Sequence, residues 1–136
     1  MAMTEAQINE LLGEARVSVV ATVDGTGTPA QSPVWHSWRD GVAYLLVSRS
    51  SRKWRNMQRN PAVSLCVDTK TAPYRAVLLE GVASEDPRDY EELLREVAIH
   101  YLGESRGAAY ADRSTATNED SVVVRIEPKR IISWAY

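Results

Sequence analysis

Five stretches of this chain are dense in β-branched and aliphatic residues and are separated by turn chemistry: RVSVVATV (16–23), VAYLLVS (42–48), AVSLCVD (62–68), YRAVLLEGVAS (74–84) and SVVVRIEP (121–128). Runs of this length bounded by Gly, Pro, Asn and Asp read as strands. DGTGTP supplies glycines for a tight connection after the first run, and Asp40-Gly41 is a hairpin signal ahead of VAYLLVS. Between them AQSPVWHSW (30–38) reads as a further strand, and RIISWAY (130–136) as a last one. Pro33 removes a ladder donor, so its position should be an edge, a bulge or a place where something docks. Val63, Leu65 and Val67 alternate, as a half-buried strand requires.

Three helices punctuate the strands. Thr4 and Gln7 form a capping-box pattern before Ile8, Leu11 and Leu12, which predicts a helix over 4–14. A basic segment after VAYLLVS is helical until Asn60-Pro61 stops it, and Asp86-Pro87 opens a third helix that runs to about Tyr101. Residues 103–120 carry the weakest pattern and read as a partly helical excursion and loop. The order is helix, three strands, helix, two strands, helix, two strands. No repeat or linker divides it, so residues 1–136 form one domain. Strands joined mainly by hairpins imply a mainly β chain, an antiparallel barrel or sandwich with appended helices.

Composition removes several function classes. A hydrophobic content of 44% with 25% charged residues argues against disorder. The single cysteine, Cys66, forms no intrachain disulfide, and His36 and His100 stand in unrelated contexts, so no metal spacing is present. The opening MAMTEAQINELLGEA has neither a basic region nor an apolar run, and no segment approaches a membrane span, so a cytoplasmic location with no membrane partner is expected. A net charge of −2 argues against a protein that coats nucleic acid with its whole surface. Four Trp and six Tyr against no Phe give the large rings polar handles, which suit half-wet sites and interfaces.

Against that acidic balance, SRSSRKWRNMQRNP (48–61) gathers Arg49, Arg52, Lys53, Arg55 and Arg59, five of the sixteen basic residues. With Ser50 or Ser51 at the helix start, Arg52 and Lys53 fall in its first turn. Cations there oppose the helix dipole and sit beside free backbone N–H groups, a conflict that a bound phosphate or carboxylate relieves. At helical spacing Trp54, Met57 and Gln58 share one side, with Trp54 and Met57 as core anchors. Arg52, Arg55 and Arg59 share the opposite side, and Lys53, Asn56 and Asn60 lie on a flank. The competing reading is a solvated arginine face that aids solubility, which fits Arg55 and Arg59 as well as anion binding does.

Gly27 with Pro29, Pro33-Val34-Trp35, Asp40-Gly41, the Ser-Arg-Lys-x-Arg-Asn run at 51–56, Asn60-Pro61 before a strand, Glu80-Gly81 and the terminal Ile132-Ser133-Trp134 occur in an order that resembles one superfamily. It is the flavin- and deazaflavin (F420)-binding split β-barrel group, pyridoxamine-5'-phosphate-oxidase-like, and the resemblance covers about residues 14–136. It implies a six- or seven-stranded antiparallel split β-barrel that forms a homodimer with cofactor at the subunit interface. It further implies that Lys53 and Arg52 pair a cofactor phosphate, that Ser48 and Ser51 hydrogen-bond it, with Asn56 in the same run, and that Pro33, Val34 and Trp35 border the ring. Tyr74 and Trp134 are further candidates, contributed from the partner subunit. The cofactor implied is F420, for which the compact PVW…SRK-x-RN pattern speaks, with FMN as the alternative. The chain ends in SWAY, without the Arg-Leu-x-Pro-like ending with which pyridoxamine-phosphate oxidases hold the vitamin, so the resemblance does not extend to that activity.

The reading that follows is an oxidoreductase passing a hydride from reduced F420 or from FMN to an unsaturated or quinone-like small-molecule acceptor, with no side-chain nucleophile expected and the catalytic residue unknown. The alternatives are a non-catalytic binding protein for a flavin, haem or other planar ligand, and a nucleic-acid binder acting through the arginine helix. His36 and His100 read as structural, and Cys66 as a small buried hydrophobe.

Overall fold

A computed structural model describes all 136 residues, Met1–Tyr136. Helix α1 spans Glu5–Gly13, followed by strands β1 Ser18–Val23, β2 Pro29–Val34, β3 His36–Arg39 and β4 Val42–Ser48. Helix α2 spans Arg52–Arg59, then β5 Ala62–Asp68, β6 Arg75–Asp86, helices α3 Tyr90–Leu102 and α4 Glu104–Arg113, and finally β7 Ser121–Ala135. The seven strands form one sheet in the order β2-β1-β5-β6-β7-β4-β3, antiparallel throughout. No helix is long and apolar enough to cross a membrane.

The connection between the two edge strands dictates the curl of this sheet. Val34 ends β2 at one edge and His36 begins β3 at the other, with only Trp35 between them. A sheet whose first and last strands meet across one residue must wrap round on itself there. Ser18 fastens the junction from inside, its hydroxyl lying 3.2 Å from the Val34 carbonyl oxygen and 2.9 Å from His36 Nδ1. The single strand expected over 30–38 is therefore two strands with different partners, β1 and β4. Pro33 lies on the edge strand β2, one of the positions where proline costs no ladder bond.

The barrel interior is filled by alternate residues of the strands and plugged by α1 and α2. Leu11 and Leu12 of α1 and Trp54 and Met57 of α2 join Val20, Leu45, Leu65, Val77, Leu79 and Ile126 in one buried cluster. Fully burying a Leu or Val side chain stabilises by about 1.5–3 kcal/mol, so these anchors hold both helices to the barrel. A second cluster lies outside the sheet, where Tyr90, Leu93, Leu94 and Val97 of α3 cover Val42, Tyr44 and Val123. This explains why VAYLLVS lacks alternation: β4 faces the barrel core with one side and α3 with the other.

Two boundaries differ from the sequence expectation. Helix α3 begins at Tyr90 rather than at Pro87, because β6 continues to Asp86, paired with Val123. The cap is Asp89, whose carboxylate accepts from the Glu92 N–H at 2.9 Å. The two strands expected at 121–128 and 130–136 are one, β7, interrupted by a bulge where Glu80 faces Arg130 and Gly81 faces Pro128. Lys129 is the extra residue, and a Cβ on Gly81 would run into the Glu127 carbonyl oxygen. Part of the 103–120 excursion is the helix α4, which lies close to α3 because Gly107 presents no side chain to the Ile99 backbone.

Candidate functional site

Helix α2 starts where β4 ends, and its first turn faces the edge of the sheet. Ser51 is the cap: its hydroxyl oxygen accepts from the Trp54 N–H at 3.2 Å and its hydroxyl donates to the Ser48 carbonyl at 2.7 Å. The N–H of Arg55 reaches the Ser51 carbonyl, which leaves the N–H groups of Arg52 and Lys53 without an acceptor. Beside this turn lies a cavity of about 180 Å³ lined by Ser51, Arg52 and Lys53 of the helix, Ala30, Gln31 and Ser32 of β2, and Val20 and Thr22 of β1.

Lys53 spans this cavity. Its ammonium donates to Ser32 Oγ at 3.2 Å, and no carboxylate pairs with it. The other cations of the segment are engaged elsewhere. Arg49 forms a forked pair with Glu85 at 3.0 and 2.8 Å, and Arg55 donates to the Ser50 carbonyl at 2.7 Å. Arg59 packs over the β1–β2 turn so closely that a Cβ on Gly25 would lie 2.7 Å from its Nη1. Arg52 reaches Asp24 Oδ2 at 3.5 Å and remains more than half exposed. Asp24 in turn accepts from the Thr26 N–H, the Thr26 hydroxyl and the Thr28 N–H at 2.8, 2.7 and 3.0 Å. Those hydrogen bonds, led by the Thr26 hydroxyl, hold its carboxyl down to a pKa of about 2.

Of the residues singled out in the sequence, the structure brings Ser51, Arg52 and Lys53 together around this cavity. Asn56 lies buried rather than on an open flank; its amide donates to the hydroxyl of Thr22, a cavity-lining residue, at 3.0 Å. Ser48 faces a different, open cleft of about 500 Å³ that it shares with Arg49, Ser50, Tyr90 and Asp120, and only its carbonyl touches Ser51. Pro33 is exposed on β2, and Val34 packs against the barrel core. The Trp35 ring stacks on Tyr101 at 4.9 Å and tilts against Tyr110 at 5.4 Å, among the α3 and α4 side chains. Tyr74 is half exposed beside Tyr136, and Trp134 is half buried on β7 opposite Ala76. Gln58 is exposed, not part of the anchoring side.

The sequence reading passed over Ser32 and Asp24. Alternation along AQSPV places Ala30, Ser32 and Val34 on one side of β2, the half-buried side. Asp24 followed by Thr26 and Thr28 is an Asx-turn pattern, which marks a pinned carboxylate.

His36 is a core residue. Its Nε2 lies 2.7 Å from the Leu12 carbonyl, which can only accept, so Nε2 carries the proton and Nδ1 accepts from Ser18. Burial, with a smaller effect from His100, holds its pKa below the ordinary value. His100 Nε2 reaches the adjacent Gly13 carbonyl at 2.9 Å, so the two histidines converge on the end of α1. They form no metal-binding group, since no cluster of three His, Cys, Asp or Glu occurs. Cys66 is partly buried in β5, and burial raises its thiol pKa.

The fold is shared with solved structures. A conserved hypothetical protein of Mycobacterium tuberculosis superposes with a TM-score of 0.76 at 29% identity, over 99% of this chain and 86% of that one. An FAD-binding protein of Mesorhizobium loti gives 0.74 at 21% identity, over 100% and 97% of the two chains. A protein described as an F420 reductase gives 0.69 at 24% identity, over 90% and 94%. No curated protein matches the sequence at a comparable significance. The family model described as pyridoxamine 5'-phosphate oxidase matches residues 4–135, nearly the whole chain. With its curled seven-stranded antiparallel sheet, the chain belongs to that family.

Proposed function

We propose that this protein is a homodimeric oxidoreductase that uses F420, or alternatively FMN, to reduce an unsaturated or quinone-like small molecule. The observation that carries this reading is the cavity at the start of α2, where an unpaired lysine, an exposed arginine and two acceptor-free N–H groups converge. That donor set is the chemistry of a phosphate cradle. Proteins of the same fold that bind FAD or act as an F420 reductase are in keeping with a cofactor of this class.

At about 180 Å³ the cavity suits a phosphate group, whereas pockets for whole drug-sized ligands run to ~300–1,000 Å³. The ring must lie beyond it, along the open edge of β2 past Gln31 and Pro33, and a second subunit would complete its enclosure. Exposed apolar side chains at Val17, Tyr74, Ile131 and Tyr136 offer surface for such a partner. When bound, the cofactor supplies the hydride chemistry. The chain's own part is to neutralise the phosphate with Lys53, Arg52 and their N–H groups and to fix the ring against β2. The engagement of Arg49 with Glu85 and of Arg55 with the Ser50 carbonyl favours this reading over nucleic-acid binding.

A second reading, non-catalytic carriage of a flavin, haem or other planar ligand, is favoured by one observation. Asp24 beside the cradle is held as a carboxylate and both nitrogens of His36, buried in the core, are engaged, so neither group is free to give a proton to a bound ligand. Titration with F420 and FMN in parallel, read by tryptophan fluorescence, tests binding, and steady-state oxidation of reduced cofactor with added acceptors separates enzyme from carrier. Lys53→Ala should weaken cofactor binding by about 1.5–3 kcal/mol, the range of a charge-assisted hydrogen bond. Unchanged affinity in that variant would move the phosphate elsewhere.

A further inference from the structure

Asp24 is the one acidic group tied to the cradle, and nothing in the cavity itself needs it. It reaches none of the lining residues except Arg52, yet three hydrogen bonds from Thr26 and Thr28 aim it there and keep it from turning away. A carboxylate fixed beside an anion site works against anions in proportion to their charge. The cavity lining carries two positive side chains, Arg52 and Lys53, and Asp24 offsets one of them. Arg59 touches the same turn at Gly25 but does not line the cavity.

We propose that Asp24 is a specificity-determining residue that tunes the cradle to a singly charged phosphodiester and against a dianionic phosphomonoester. This rests on the phosphate-cradle reading above and deepens it: F420 joins its tail through a phosphodiester, whereas FMN ends in a monoester that is largely dianionic at pH 8. The residual single charge of the cradle, Lys53 with two neutral N–H donors, matches one negative charge. A second charge on the ligand meets the Asp24 carboxylate with no further cation in the cavity lining to balance it, because Arg52 is already shared.

Because the opposing energy scales with ligand charge, removing the Asp24 charge should help a dianion by the square of the factor by which it helps a monoanion. The test uses dimethyl phosphate and methyl phosphate as matched probes at pH 8 and constant ionic strength. Binding is read from the backbone amide NMR signals of Arg52 and Lys53. The wild-type protein should bind the diester at least as tightly as the monoester. Asp24→Asn, which keeps an oxygen acceptor for the turn, should tighten the diester about 3-fold and the monoester about 10-fold. Asp24→Ser should behave alike, and it cannot revert by deamidation of the Asn-Gly sequence. If both probes move these amides but tighten by the same factor in the variants, the role of Asp24 is refuted while the cradle stands. If neither probe moves them in the wild type, the cradle fails, and the proposal with it.

Discussion

His36→Phe replaces a buried imidazole by a ring of similar shape and removes its hydrogen bonds, and the structure sets both the size and the pH dependence of the loss. The Leu12 carbonyl at the end of α1 loses the donor 2.7 Å away, at a position where both His36 and Leu12 are buried. An orphaned buried acceptor costs about 1–3 kcal/mol. Ser18 loses its acceptor at Nδ1 but can turn its one proton to the Val34 carbonyl 3.2 Å away, so its loss is about 0.5–1.5 kcal/mol. The sum is about 1.5–4.5 kcal/mol at pH 8.

The deficit should shrink in acid. Burial lowers the folded-state pKa of His36 below its ordinary 6.5, so below that pH the unfolded chain takes up a proton that the folded one refuses. Wild-type stability from this group is therefore full above 6.5 and declines as the pH falls, by at most about 1.4 kcal/mol per pH unit. The phenyl variant has no such term. Urea unfolding of both proteins at pH 8 and pH 5 measures the difference directly. A deficit below about 0.5 kcal/mol at pH 8, or one equal at the two pH values, would refute a neutral, doubly bonded core histidine.

Two further substitutions probe the frame around the candidate site. Gly81→Ala should destabilise by several kcal/mol, because its Cβ meets backbone rather than a movable side chain; wild-type melting behaviour would mean that the bulge opposite Pro128 can relax. Asn56→Ala should cost about 1–3 kcal/mol by stranding the Thr22 hydroxyl, and chemical denaturation would show it. A neutral result would mean that water can replace the buried amide.

The strands, their antiparallel pairing and the anchoring of α2 by Trp54 and Met57 were legible in the sequence because alternation and turn chemistry are local signals. What escaped depends on closure. The break at Trp35 follows from the two sheet edges meeting, a long-range event with no local mark in PVWHSW. The α3 start was misplaced because Asp86 and Asp89 are equally good caps, and only the pairing of Asp86 with Val123 decides between them. His36 and His100 stand far apart in sequence, yet both end on consecutive carbonyls of α1.

The same distinction divides the candidate site. The Ser51-Arg52-Lys53 turn announced itself through charge at the wrong end of a helix, a conflict readable from three adjacent residues. Its counterparts Ser32 and Asp24 belong to the hairpin that folds against it, and Asn56 turned inward because Thr22 waits there with a hydroxyl. Trp35, which the family resemblance places at the border of the cofactor ring, stacks its own ring on Tyr101, a partner far along the chain that the local sequence does not announce.

The most direct measurement is a crystal structure of the protein with F420 or FMN bound. The ligand's phosphate should lie within hydrogen-bond distance of the Lys53 ammonium and of the N–H groups of Arg52 and Lys53, beside Ser32. A phosphate seated anywhere else, with Lys53 still bonded only to Ser32, would contradict the assignment of this helix start as the cofactor's anchor.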